Sequence, residues 1–238
     1  MRFTFRFRFI PFLAAAIAVA IGLSLGQWQT NRAAQKLAIE AQLQARQAAP
    51  AIQLGAVPVD PAELEYRRVL VKGEFLRDWP IYLDNRPHNG VAGFYLVMPF
   101  KIAASNLHVL VARGWIPRNP ADRAKLPPLF TPTGTIEIEG TARQSIGHVM
   151  QLGTVDAPRP HAIVQNLDIA GFAAAGKLDM QTIFLEQVSD TQDGLVRDWP
   201  RPSSGVDKHR GYAFQWYALA AMAFIFFVVT GIRRGTNQ

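Results

Sequence analysis

One short segment concentrates the chemistry of this chain: Asp207, Lys208, His209 and Arg210, followed closely by Tyr212, Trp216 and Tyr217. A neutral imidazole is a common metal ligand and one of the side chains that holds haem iron axially. On a helix, Ala213 and Trp216 project from the same face as His209. The aromatics could then bound a flat macrocycle, and Arg210 could meet a propionate at its edge. The same residues also suit a plainer role, because Trp and Tyr commonly anchor helices at a membrane interface. Residue chemistry alone favours anchoring.

Other constellations carry less. Ser203, Ser204, Asp207 and His209 contain the ingredients of a hydrolytic triad, but no nucleophile elbow presents them. His88, His108, His148 and His161 stand singly, without metal-ligand spacing, and read as structural or surface residues. Glu63 with Glu65, and Glu137 with Glu139, read as solvated faces of strand-like segments. Arg86 ends a strand-like run in Asp-Asn-Arg-Pro, and Arg113 precedes Gly114-Trp115-Ile116-Pro117. Such arginines fix a fold or dock an acidic partner, and a role in the fold is favoured. There is no cysteine, which excludes disulfides, thiolate metal sites and thioether-attached haem.

What would position His209 is a membrane. Phe9–Gly26 and Tyr212–Ile232 are apolar and uncharged. A bilayer core about 30 Å thick takes roughly 20 such residues as a helix. His209 lies one turn before the second span. The formal charge is +7. Much of it sits at the span edges, in Arg2, Arg6, Arg8, Arg233 and Arg234, so lipid headgroups rather than nucleic acid are the expected partner. Two spans put both termini on one side, and the positive-inside rule makes that side the cytoplasm. Arg32, Lys36, Lys208 and Arg210 weigh against this, but a long middle domain is translocated largely regardless of its charge. No Ala-x-Ala site follows Leu25, so a cleaved signal peptide is not expected. Small residues Ala14, Ala18, Gly22 and Gly26 form a ridge for close helix packing, against Ala213, Ala220 and Ala223.

Between the spans, Asn31–Ala48 reads as a helix leaving the membrane, ended by Pro50, Pro58 and Pro61. Expected strands are Arg68–Phe75, Ile81–Asn85, Gly93–Lys101, His108–Arg113, Thr135–Arg143, His161–Asn166 and Thr182–Gln187. Asp168 caps a short helix ending near Gly176. The segments 116–132 and 196–207 read as exposed links. The fold class is therefore α+β. Two transmembrane helices flank a mostly antiparallel, barrel-like β domain with short helices. The expected order is a cytoplasmic N-terminus (1–8), a first span (9–28), the extracytoplasmic domain (29–208), a second span (209–232) and a cytoplasmic C-terminus (233–238).

Several ordered motifs carry a resemblance. They are Leu25-Gly26-Gln27-Trp28-Gln29 with Arg32, Arg67-Arg68-Val69, Gly73-Glu74-Phe75, Asn85-Arg86, Gly90, Gly93 and Pro99-Phe100. To these add Val109–Pro117, with Arg113-Gly114-Trp115, and His209-Arg210-Gly211-Tyr212-Ala213-Phe214-Gln215-Trp216. The chain resembles the surfeit-locus family of cytochrome c oxidase assembly factors, which includes the yeast Shy-type proteins. The resemblance implies a non-enzymatic factor in the bacterial inner membrane, with a periplasmic domain. It would bind haem a and assist its insertion into oxidase subunit I, with haem a synthase as a further possible partner. It also implies that His209 is the iron ligand, with Arg210, Tyr212, Gln215 and Trp216 around the cofactor. Tyr217 stands where Phe is usual. Trp28, Arg32, Arg86, Arg113, Gly114 and Trp115 would serve the fold or a partner. The alternative is a cofactor-free scaffold that steadies an oxidase intermediate.

Overall fold

Prolines and capping aspartates mark several helix starts, at Pro11, Asp60–Pro61 and Asp168. The computed structural model describes residues 3–122, 125–150, 157–200 and 205–234. The helices are α1 (Phe9–Ala48), α2 (Pro61–Leu64), α3 (Ile169–Gly176) and α4 (Val206–Gly231). The strands are β1 (Phe3–Phe5), β2 (Ile52–Gln53), β3 (Arg68–Phe75), β4 (Ile81–Leu83), β5 (Gly93–Ile102), β6 (Leu107–Pro117), β7 (Ile136–Arg143), β8 (Ile163–Val164), β9 (Asp179–Gln187) and β10 (Ile232–Arg234). The chain forms two units, residues 1–42 with 202–238, and residues 43–201.

In the first unit both helices are long and apolar enough to cross a bilayer. Pro11 sits in the first turn of α1, where its missing N–H has no intrahelical acceptor to lose. The crossing expected over 9–28 and the helix expected over 31–48 are one uninterrupted element. The termini of the two helices meet. β1 pairs antiparallel with β10, and the Arg6 amide donates to the Gly231 carbonyl at 2.8 Å. Phe7, Phe12 and Phe227 cluster there, with ring centroids 5.2–6.5 Å apart. Phe3–Phe5 and Ile232–Arg234 therefore lie at the same end of the helix pair.

In the second unit, eight strands form one sheet in the order β2-β3-β7-β9-β6-β5-β4-β8. A further pairing of β3 with β5 (Gly73–Phe75 against Phe100–Ile102) closes β3, β7, β9, β6 and β5 into a barrel. The alternation expected in β7 is present, with Ile138, Gly140 and Ala142 inward. In β5 and β6 both faces are buried, so those strands are nearly continuous apolar runs. Leu96, Met98, Phe100, Val109 and Val111 fill one core, while Val97, Leu110 and Ala112 pack with Phe172 and Phe184 in a second. Asp168 caps α3 as expected, accepting from the Gly171 amide at 2.7 Å.

The sheet is mostly antiparallel, as expected, with β6 parallel to β9, β2 to β3, and β4 to β8. Some local expectations need correction. His161 is not in a strand: it holds φ of 61° in a turn, and only Ile163–Val164 pairs. Pro61 starts α2 rather than only breaking a helix, and Glu65 is drawn into an ion pair with Arg143 instead of facing water. The link 116–132 is anchored at its end, where Thr131 is buried. The link 196–207 begins docked, with Val196 bridged to Trp115.

Candidate functional site

The membrane unit places His209 on a packed seam. Along α1 the more buried positions include Ala15, Val19, Gly22, Gly26, Gln29 and Ala33, which follow one another at steps of four and three. Along α4 they include Val206, His209, Ala213, Trp216, Ala220 and Ala223, with the same alternation. That period is the one by which two helices keep a single seam in contact. The expected ridge is thus half right: Gly22 and Gly26 are in the seam, but Ala14 and Ala18 are exposed. A Cβ on Gly22 would lie 2.8 Å from Ala220 Cβ, and one on Gly26 would lie 2.6 Å from the Tyr217 ring. The glycines therefore set how closely the helices approach.

His209 Nδ1 lies 2.8 Å from Gln29 Oε1. With that oxygen accepting, Nδ1 carries the proton and Nε2 presents its lone pair. This is how proteins commonly orient a metal-binding imidazole. Gln29 stands within a quoted motif, yet nothing in its type marks it as a partner of a residue 180 positions away. Only the seam register reveals it.

The remaining residues divide between two sides of the seam. A helix turns about 100° per residue. From His209, that period carries Lys208, Tyr212, Gln215 and Trp216 to one side and Arg210 and Tyr217 to the other. On α1, Leu25, Trp28, Arg32 and Lys36 share one side, while Thr30 takes the other. Two observations match the sides across the seam. Thr30 Oγ1 lies 3.4 Å from the Tyr217 hydroxyl, and Ala18 and Ile21 line one groove together with Trp216 and Leu219. Trp28, Arg32, Tyr212, Gln215 and Trp216 consequently lie on one flank of the helix pair, and Arg210 on the other. Trp28 and Tyr212 are more than half exposed there, and Arg32 donates to Gln35 at 3.1 Å.

The hydrolytic reading has no geometric support. Asp207 and His209, two residues apart on α4, face different ways, and Ser203 and Ser204 lie outside the described residues. Among the described residues, no cluster of three or more His, Asp or Glu could hold a metal ion. His108 is buried, with Nδ1 3.2 Å from the Asp179 carbonyl, and burial lowers its pKa.

Arg86 and Arg113 belong to the β-rich unit and are spent inside it. Arg113 is fully buried and lies 4.6 Å over the Phe75 ring. It donates to Asp193 Oδ2 at 2.7 Å, Thr131 Oγ1 at 2.7 Å and the Phe130 carbonyl at 3.0 Å. Burial lowers its pKa, against the opposing pull of Asp193. Burial alone would raise the Asp193 carboxyl. Hydrogen bonds from Arg197, Thr191 and the Leu195 amide hold it below its usual value. Arg86 donates to the carbonyls of Asp84, Gly147 and Gln165, each at 3.2 Å, and burial lowers its pKa too. Trp115 Nε1 donates to the Arg86 carbonyl at 2.7 Å, and its ring lies where a Cβ on Gly93 would be. Gly114 admits Val196, whose carbonyl would stand 2.9 Å from a Cβ there. These residues weld the loops of the barrel together.

One buried carboxyl has no mark in the local sequence pattern. Glu186 on β9 meets Arg143 at 3.4 Å, and burial raises its pKa to about 7, with Glu65 adding and Arg143 opposing.

Comparison with known proteins matches this architecture to one family. A family model described as the SURF1 family matches residues 16–221. A SURF1-like protein of Rickettsia felis is 27% identical over 228 residues, covering 91% of this chain and 95% of the relative. Surfeit locus protein 1 of Rattus norvegicus is 28% identical over 236 residues, covering 91% and 74%. The human protein of the same name is 27% identical over 224 residues, covering 85% and 72%. The family match takes in most of the first span, the whole barrel and the seam around His209, and the chain belongs to the SURF1 family.

Proposed function

We propose that this protein is a cytochrome c oxidase assembly factor that holds haem a at the outer face of the bacterial inner membrane and passes it to oxidase subunit I. Family membership supports the pathway. The observation that carries the haem is the His209–Gln29 pair at a helix seam, which leaves Nε2 free to ligate iron. The surroundings fit such a group. Tyr212, Trp216 and Trp28 offer aromatic walls on one flank, and Arg32, Lys36 and Lys208 offer cations for propionates. The protein's own contribution is to bind and orient; no bond is made or broken. Exchangeable ligation by His209 would suit a carrier, since a very tight complex would oppose release.

The test is the absorption spectrum of full-length protein purified in detergent from cells that make haem a. Wild type is expected to carry haem a, and His209→Ala to lose at least nine-tenths of it while folding normally. Equal haem in both proteins would remove His209 from the site. A haem-free wild type that still captured subunit I would support a scaffold instead.

A further inference from the structure

The flank that carries Trp28, Tyr212 and Trp216 continues into the membrane as a groove of about 530 Å³. Ala18, Ile21 and Gly22 of α1 line it, with Trp216, Leu219 and Phe226 among its α4 residues. No charged side chain lines it. Tyr212, Trp216, Leu219, Ala223 and Phe226 follow one another at steps of four and three, so they form a single stripe along one edge of the seam, which Trp216 and Ala223 share with it. The stripe starts one turn from His209. It runs about 15 Å between Trp216 and Phe226, at about 1.5 Å per residue. Arg32, Lys36 and Lys208 stand on the same flank at the other end.

Polarity thus changes in one direction along this flank, from cations, through an imidazole and aromatics, to a groove lined by uncharged, mainly apolar side chains. A haem with anionic propionates and a long prenyl substituent has the same order of parts. We propose that the groove between Ala18 and Phe226 receives the prenyl tail of the haem, with the propionates turned toward Arg32 and Lys208. The proposal rests on haem binding at His209 and deepens it. It makes the groove the element that distinguishes prenylated haems from haem b, whose core is the same without the tail. It also assigns the propionates to Lys208 and Arg32 rather than to Arg210, which lies across the seam. Continuity with the imidazole is what favours a tethered tail over a free lipid chain. A lipid acyl chain would fill the groove without regard to the haem above it.

Full-length protein is purified from cells supplied in turn with haem b only, with haem o (prenylated, no formyl group) and with haem a. Bound haem is measured by extraction and spectrum. Wild type is expected to retain haem o and haem a at least tenfold better than haem b. Ala18→Phe and Leu219→Trp, which fill the groove from exposed positions outside the seam and without touching His209, are each expected to abolish that preference and to leave haem b retention unchanged. The unchanged haem b reports that the variants still fold. Equal retention of all three haems by wild type, lost on His209→Ala, would overturn the groove and leave the haem reading standing. Full haem a retention by both filled variants would do the same, as would loss of subunit I capture with haem retention intact, which would make the groove a seat for a partner helix. Wild type that binds no haem at all would overturn both.

Discussion

At the residue scale, buried charge decides what can be exchanged. Arg113 joins β6 to Phe130, Thr131 and Asp193. Removing one partner of a buried ion pair costs about 3–5 kcal/mol, because the other charge stays behind. Arg197 also holds Asp193, so Arg113→Met is expected near the lower end, read as a fall in unfolding temperature of the full chain in detergent. Arg113→Lys should recover little, since one ammonium does not reproduce the guanidinium fork. An unchanged unfolding temperature in Arg113→Met would show that the pair is not structural. Glu186 gives a prediction of opposite sense. Its folded pKa of about 7 lies above the usual 4.5, so its contribution is complete below 4.5 and is lost as pH rises through 7. Glu186→Gln should therefore match wild type near pH 4.5 and exceed it by up to about 3 kcal/mol at pH 8.5. A gain that did not grow with pH would contradict the assignment. At the proposed haem site, Gln29→Ala is expected to weaken haem retention about 10–100-fold, the usual loss when the partner orienting a ligand histidine is removed.

At the element scale, the account depends on α1 and α4 meeting at Gly22 and Gly26. The chain has no cysteine, so introduced pairs can be read without background. Gly22→Cys with Ala220→Cys places two Cβ atoms close enough for a disulfide after small adjustment. Oxidation followed by a cut in the β-rich unit should leave the two fragments joined. The outward pair Ile17→Cys with Ile225→Cys should not join them. Separation of both would sink the seam. Most of these elements were legible from pattern. β3 and β7 alternate in period two, Asp168 announces α3, and both spans are plain in hydropathy. What pattern could not reveal is pairing between distant segments. The parallel contact of β6 with β9 and the closure of β3 on β5 depend on register across the sheet, which no local run of residues encodes. The same limit hid the site's geometry. His209 stood out by type, but its contact with Gln29, and the side of the seam taken by Arg210, depend on how two helices 180 residues apart align.

At the scale of the whole molecule, the reading requires the β-rich unit and the His209 end of the helix pair to lie outside the cytoplasm. Met150 is exposed and lies in that unit. In intact cells, Met150→Cys is expected to react with a membrane-impermeant thiol reagent; reaction only after lysis would reverse the topology and remove the site from the outer interface. The central claim is ligation, and chemical rescue tests it most directly. Full-length His209→Gly should purify with little haem a, and imidazole added during haem loading should restore the wild-type spectrum, because the free ring takes the place of the missing side chain. A variant that held haem a fully without imidazole, or that imidazole did not restore while it remained folded, would contradict the claim that His209 holds the iron.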